Sequence, residues 1–211
     1  MTARLLHDAG IEPMLKSRVV IDKHDIPRLA PLLPDPALRR WVQALQFTLP
    51  GAPNIYFGAE LGMTGGDDPE NRSPMRWDLL RDDKLSLQWM HQLIALRRQH
   101  RALRVGDCRP VQAERLLAFE RHTDRALATV VVLANPAAEP VTERVMVANP
   151  WRMNDTPMLD LLHPETGSNT LQTAPRIGAG FMAVTVPTRG GPALQPRRPA
   201  LGGHDRYKRV T

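Results

Sequence analysis

Apolar residues fall into two textures along the 211-residue chain, one on each side of about residue 105. In the first, short β-branched or aromatic runs alternate with longer stretches of helical spacing. Arg18-Val-Val-Ile-Asp22 is a continuous apolar run of β-branched residues, the pattern of a strand buried on both faces. Asp35 and Pro36 then supply a cap and a first helical residue. Leu38, Trp41, Val42, Leu45 and Leu49 recur at helical spacing as far as Pro50-Gly51, which ends the run. Asn54-Ile-Tyr-Phe-Gly58 predicts a second strand, and a long polar loop follows from Glu60 to Asp78. The next predicted helix runs from about Lys84 to His100, capped by Asp82 or Asp83, with Leu85, Trp89, Leu93 and Leu96 on one face. Arg97, Arg98 and Arg101 stand at its C-terminal end, where the helix dipole favours cations. Ahead of all this, Leu5 and Leu6 followed by Gly10 predict the end of a helix over residues 2–9.

After Gly106 the texture changes to short strand-like runs: Leu116 to Arg121, Ala128 to Leu133, Val141 to Val147, Met158 to Leu162 and Phe181 to Val186. Asn135-Pro136, Asn149-Pro150, Pro164 and Gly167 separate them, a spacing that predicts a small antiparallel sandwich. Strand and helix alternate over residues 1–105, which implies βα units on a parallel sheet. The expected organisation is therefore 1–105, α/β; 106–188, all-β; and 189–211, a basic and disordered tail.

Charge changes this picture little. The net charge of +6 is concentrated at one end, because residues 189–211 carry Arg189, Arg197, Arg198, Arg206, Lys208 and Arg209 against Asp205 alone. The first 188 residues are close to neutral, so the charge reads as a solvated Pro/Gly-rich end and nucleic acid is not an expected partner. Apolar residues make up 42% of the chain, enough for a real core, yet no run approaches the roughly 20 residues that span a bilayer. No membrane association is expected. The segment Met1 to Gly10 carries Asp8 and has no apolar stretch of the secretory type. Cys108, the single cysteine, can form no internal disulfide and by itself makes no metal site, and no feature assigns a compartment.

The chemistry-bearing residues form an ordered series. It begins with His24-Asp25 and continues with Pro50-Gly-Ala-Pro-Asn-Ile-Tyr-Phe-Gly-Ala-Glu-Leu-Gly-Met63. Thr64-Gly-Gly-Asp-Asp-Pro-Glu-Asn-Arg72 follows, and Pro74-Met-Arg-Trp-Asp78 closes it. Together these resemble the stretch from the seventh strand to the eighth helix of the α-amylase (glycoside hydrolase 13) barrel. The Gly-Met-Thr-Gly-Gly-Asp-Asp-Pro loop is most similar to the neopullulanase, cyclomaltodextrinase and maltogenic amylase members. The resemblance runs from residue 10 to about 188 and implies the last two βα units of a (β/α)8 barrel followed by the family's C-terminal β-sandwich, hence a C-terminal fragment.

That resemblance implies roles for particular residues. His24 would hydrogen-bond sugar hydroxyls beside the scissile bond. Asp25 would be the acid that grips the ring hydroxyls of a distorted glucosyl unit and helps stabilise an oxocarbenium-like transition state. Lys23 is a departure, since relatives more often carry a small or amide residue before the histidine. The alternative reading is that His24 and Asp25 merely cap a loop. Asp67, Asp68 and Arg72 fit two readings, an oligosaccharide-binding rim or an Asp/Gly/Pro turn with a surface salt bridge. Trp77 and Tyr56 are expected in the core, with stacking on a sugar face as the alternative, and Trp41 and Trp89 are expected to pack on apolar helix faces.

The family's nucleophile and general acid follow the fourth and fifth barrel strands, and Asp22, Asp25, Glu60, Asp67 and Asp68 match neither role. The expected function is that of the C-terminal portion of an amylase-type enzyme acting on α-glucosidic linkages of malto-oligosaccharides or cyclodextrins, inactive alone. A non-catalytic carbohydrate-binding remnant, or one half of a split enzyme, is the alternative. The implied partners are an α-glucan oligosaccharide and a separately encoded N-terminal barrel part. No cofactor or metal is expected, with a structural calcium in the parent enzyme left open.

Overall fold

The computed structural model describes residues 10–81, 84–147, 156–163, 176–178 and 180–196. The helix predicted over 2–9, the proposed caps Asp82 and Asp83 and the tail beyond residue 196 lie outside the described residues. Helix α1 (Glu12–Leu15) leads into strand β1 (Arg18–Val20), and α2 (Leu29–Leu32) precedes the long helix α3 (Pro36–Thr48). Strand β2 (Ala52–Asn54) runs parallel to β1, with Val19 opposite Pro53, so β1, α3 and β2 form a βαβ unit. Two helices follow, α4 (Leu85–Gln99) and α5 (Arg101–Val105).

The predicted cap of α3 is present: Asp35 Oδ1 accepts from the Ala37 N–H at 2.9 Å, and Pro36 occupies the first turn. The buried face is not the predicted one. Ala44, Phe47 and Thr48 are buried with Gln43 and Gln46, while Trp41, Val42, Leu45 and Leu49 are half-buried. Gln46 explains part of the shift, because its Nε2 donates to Val19 O and to Asn54 O, each at 2.9 Å, and so ties both strands to the helix. The second strand also moves. It spans 52–54 rather than 54–58, because Tyr56 and Phe57 turn away to enclose the Arg28 guanidinium, at 4.6 and 4.7 Å from their ring centroids. In α4 the buried residues are Met90, Leu93, Leu96 and Arg97, whereas Leu85, expected on that face, is 71% exposed.

Strands β3 (Asp107–Pro110), β4 (Leu117–His122), β5 (Val130–Ala134), β6 (Val141–Met146), β7 (Thr156–Asp160), β8 (Arg176–Gly178), β9 (Phe181–Val186) and β10 (Ala193–Pro196) are joined in the order β3-β4-β5-β10-β7-β8-β9-β6. Every pairing in this ladder is antiparallel. The ladder folds back on itself, so Val131, Leu133 and Leu194 meet Val141, Val145, Met182, Val184 and Val186 in one buried cluster. Alternate residues on the other face of β5, Val130 and Val132, pack with Ala193 against Phe47, Leu93, Leu96 and Leu103. Both faces of β5 are therefore covered, which is why it reads as an unbroken apolar run.

The expected tail is corrected at its start. Residues 193–196 form β10, which lies between β5 and β7 in the middle of the sheet. Gly191, read as part of the Pro/Gly-rich tail, is demanded by packing, since a Cβ on it would stand 1.9 Å from Leu133 O.

Two arginines join the helical and antiparallel parts. Arg97 Nη1 donates to Phe47 O at 2.6 Å and Leu49 O at 3.2 Å, and its Nη2 donates to Gly51 O. Arg121 is fully buried; its Nη1 donates to Thr48 O at 2.7 Å, Nη2 to Gly106 O at 2.9 Å and Nε to Asp107 O at 3.3 Å. Burial pushes the Arg121 guanidinium down to about 10.

Leu194→Ala, at a fully buried position in β10, is expected to lower the unfolding free energy by about 2–5 kcal/mol in urea denaturation. Leu117→Ala, at a side chain 50% exposed, should change it by about 0.5 kcal/mol or less.

Candidate functional site

The loop from Asp22 to Arg28 leaves the end of β1 and is fastened at both ends. Asp22, buried, accepts the Leu29 N–H at 3.3 Å. Burial raises its carboxyl above the ordinary range and Glu60 adds to the rise, while the Leu29 N–H and the Arg28 charge oppose it. Arg28, also buried, donates from Nη1 to Phe57 O at 2.6 Å, and its backbone N–H donates to Gly65 O at 3.0 Å. The guanidinium held between the Tyr56 and Phe57 rings thus anchors this loop to the segment 56–65.

Between these anchors the loop turns His24 and Asp25 outward. Asp25 Oδ2 accepts from Lys23 Nζ at 2.9 Å, and its Oδ1 stands 3.0 Å from His24 Nε2 and 3.5 Å from Arg72 Nη2. The hydrogen bond from the Lys23 ammonium, with the His24, Lys23 and Arg72 charges, holds the Asp25 carboxyl below the usual carboxylate range against an opposing effect of desolvation. At neutral pH Asp25 is an anion and a hydrogen-bond acceptor. All five side chains of the cluster, Lys23, His24, Asp25, Asp68 and Arg72, are 45–63% exposed.

The second loop comes from the Gly65-Gly66 turn. A Cβ on Gly65 would stand 2.7 Å from Glu70 O, so the close return of the chain there needs glycine. The return brings Arg72 Nε to 3.6 Å from Asp68 Oδ1 and to 3.2 Å from His24 O, which it bonds. Asp67 enters through its backbone, its carbonyl accepting from Glu70 N at 2.8 Å and Asn71 N at 3.4 Å, and the residue is exposed. Four of the residues singled out in the sequence, His24, Asp25, Asp68 and Arg72, thus stand together.

Three placements differ from expectation or were missed. Trp77 is 70% exposed rather than in the core, because the 3-10 turn Trp77–Leu79 that carries it has no buried residue. Tyr56 is half-buried, its ring over Arg28 and its hydroxyl donating to Asn71 O at 3.1 Å. Asn71 itself, 1% exposed, was not singled out, although its place between Asp68 and Arg72 was the available signal. Trp89 is half-buried, donating from Nε1 to Arg40 O at 3.1 Å and stacking on His163. Among the described residues no group of three or more His, Cys, Asp and Glu side chains could hold a metal ion, and no helix is long and apolar enough to cross a membrane.

No family model matches the chain. A cyclomaltodextrinase of Geobacillus thermopakistaniensis is 36% identical over 125 residues, covering 57% of this chain and 21% of that protein. Neopullulanase 2 of Thermoactinomyces vulgaris is 34% identical over 106 residues, covering 48% of this chain and 18% of that protein. The solved debranching enzyme of Nostoc punctiforme superposes with a TM-score of 0.75 at 26% identity, covering 91% of this chain and 38% of its own. The chain is a homologue of the α-amylase family. It spans about a fifth of the length of the curated α-amylase-family relatives it matches. The superposition covers 91% of this chain, so it takes in both the parallel strand pair and the antiparallel ladder.

The Asp25 titration follows from the cluster. Its carboxyl lies below the ordinary 3.8, so its contribution to stability is present above pH ~4 and is lost as pH falls through the depressed value. Lys23→Ala removes the largest cause and should move the Asp25 midpoint upward in a carboxyl-detected 13C NMR titration. An unmoved midpoint would assign the depression to His24 and Arg72 instead.

Proposed function

We propose that this chain contributes one wall of the sugar-binding site of an amylase-type glycoside hydrolase acting on α-glucosidic linkages of malto-oligosaccharides or cyclodextrins. The observation that carries this reading is the gathering of His24, Asp25, Asp68 and Arg72 at the end of β1, from loops more than 40 residues apart in sequence. An ionised, half-exposed carboxylate flanked by cations and an imidazole offers paired acceptors and donors for neighbouring hydroxyls of a pyranose ring. Hydrogen bonds to the ring hydroxyls strengthen as the ring flattens toward an oxocarbenium ion, so Asp25 acts on the transition state more than on the bound substrate. His24 donates to or accepts from a hydroxyl of the same unit. Asp68 and Arg72 bind hydroxyls of a sugar further along the chain.

Bond cleavage with retention needs two carboxyl groups about 5–5.5 Å apart, one as nucleophile and one as acid. Asp25, paired with Lys23, His24 and Arg72, is held ionised and is unsuited to donate a proton. In this reading the nucleophile and the acid come from other βα units, in the same polypeptide or in a separately encoded part. The same units would complete a (β/α)8 barrel in which β1 and β2 are the last two strands, with residues 1–105 in the barrel and the antiparallel ladder as the C-terminal domain. The exposed apolar side chain of Val20 in β1, at 43%, supports it, because parallel strands ordinarily have both faces covered.

The test is complementation. The 211-residue chain alone should release no glucose or maltose from cyclodextrin or pullulan. Co-expressed with the first six βα units of the Geobacillus cyclomaltodextrinase, it should hydrolyse cyclodextrin. In the complemented enzyme Asp25→Asn should lower kcat about 10²–10³-fold with little change in KM. Hydrolysis by the chain alone, or full activity of the Asn variant, would overturn the reading. Acarbose binding without any complemented activity would instead leave a non-catalytic carbohydrate-binding role.

A further inference from the structure

We infer that Asn71 is a positioning residue that sets where the Asp25 carboxylate stands, by clamping the backbone on both sides of it. The inference rests on the sugar-binding reading of His24 and Asp25 given above. Asn71 Nδ2 donates to His24 O at 3.0 Å and to Ile26 O at 3.3 Å, the carbonyls that flank Asp25. One primary amide supplies one N–H to each, and the two carbonyl acceptors fix which end of the amide is nitrogen. The Asn71 backbone is held in turn. Its backbone carbonyl accepts the Tyr56 hydroxyl at 3.1 Å, and its backbone N–H donates to Asp67 O at 3.4 Å. Tyr56 is itself packed against the Arg28 guanidinium, whose own backbone N–H reaches Gly65 O. The amide nitrogen and the backbone of Asn71 are thus both held, while its Oδ1 is buried with no hydrogen-bond partner among the described residues.

Arg72 also reaches His24 O, at 3.2 Å from Nε, but it is half exposed, and exposed charged contacts fix geometry weakly. Asn71 is buried, and a neutral double donor suits that place as no other side chain of its length does. An aspartate there would turn carboxylate oxygens toward two carbonyls. An alanine would remove the donor to Ile26 O and leave His24 O with Arg72 Nε alone. The residue acts through the backbone of the loop and touches no reacting group, so its effect is on the aim of Asp25.

The test uses the full chain and reads the loop itself. In Asn71→Ala, 15N relaxation order parameters at Asp25 and Ile26 should fall from about 0.85 to below about 0.6, with β5 and β10 unchanged. Asn71→Ser, which keeps one donor, should lie between and serves if the alanine variant does not fold. Leu194→Ala, which destabilises the antiparallel core, should leave the loop's order parameters as they are. Acarbose affinity, followed by NMR titration, should drop at least tenfold in Asn71→Ala and stay unchanged in Leu194→Ala. A loop equally ordered without the amide, or loosened as much by Leu194→Ala, would overturn the inference. A loop that loosens in Asn71→Ala while the complemented enzyme binds acarbose as tightly as before would uphold the clamp and overturn the sugar-binding reading.

Discussion

Two buried guanidinium groups close the C-terminal end of α3, and both halves of the molecule meet there. The last carbonyls of a helix lack intrahelical partners and carry the negative end of its dipole. Here Phe47 O and Leu49 O take hydrogens from Arg97, and Thr48 O takes one from Arg121. The remaining donors reach Gly51 O just before β2, and Gly106 O and Asp107 O at the start of β3. Helix α4, strand β4, the end of α3 and the entry to both sheets are thus fixed to one another through five-donor forks. Charged donors on backbone acceptors are worth about 1.5–3 kcal/mol each where they are well made. A lysine, with a point charge on a flexible stem, could not reach three carbonyls in one plane. Because α3 also carries Gln46, which bonds β1 and β2, the geometry passes from the arginines to the strands and from the strands to the loops that carry the site.

The site has the same logic on a smaller scale. Its outer members, Lys23, His24, Asp25, Asp68 and Arg72, are half exposed and balance one another by charge. Its inner members, Asp22, Arg28 and Asn71, are buried and hold the backbone. The outer layer can exchange partners with an incoming polar ligand, since surface ion pairs are individually weak. The inner layer cannot, because its groups lie away from water. A surface of this kind keeps its shape while its charged tips rearrange, which suits recognition of a hydroxyl-rich ligand.

How much of this could be read in the sequence depended on whether the signal was local. The cap at Asp35-Pro36 and the six-residue run of β9 are local, and both stand where they were expected. The homology was equally legible, being carried by a contiguous string of motif residues. The buried face of α3 was not, because Gln43 and Gln46 look polar by composition and are buried by bonds to distant strands or by packing. Strand β2 was displaced because Tyr56 and Phe57, ideal strand residues, are taken by a cation from another loop. The grouping of His24 and Asp25 with Asp68 and Arg72 required the fold of two loops, and Asn71 stayed hidden because its partners are backbone carbonyls with no sequence signature. Strand β10 was concealed by Pro and Gly on either side, residues that mark a linker in composition and a close backbone approach in three dimensions.

The position of β10 also bears on how the molecule comes to be assembled. The strand at the centre of the antiparallel ladder is the one synthesised after all its neighbours, and β5 and β7 have no contact with each other across the sheet until it arrives. Chain growth proceeds at about 5–20 residues per second, so the earlier strands wait seconds with apolar faces uncovered. Pairings between segments distant in sequence form slowly because loop closure must precede them. The ladder therefore closes like a zip drawn from the middle, and for that interval the nascent chain presents two open strand edges to whatever else is nearby.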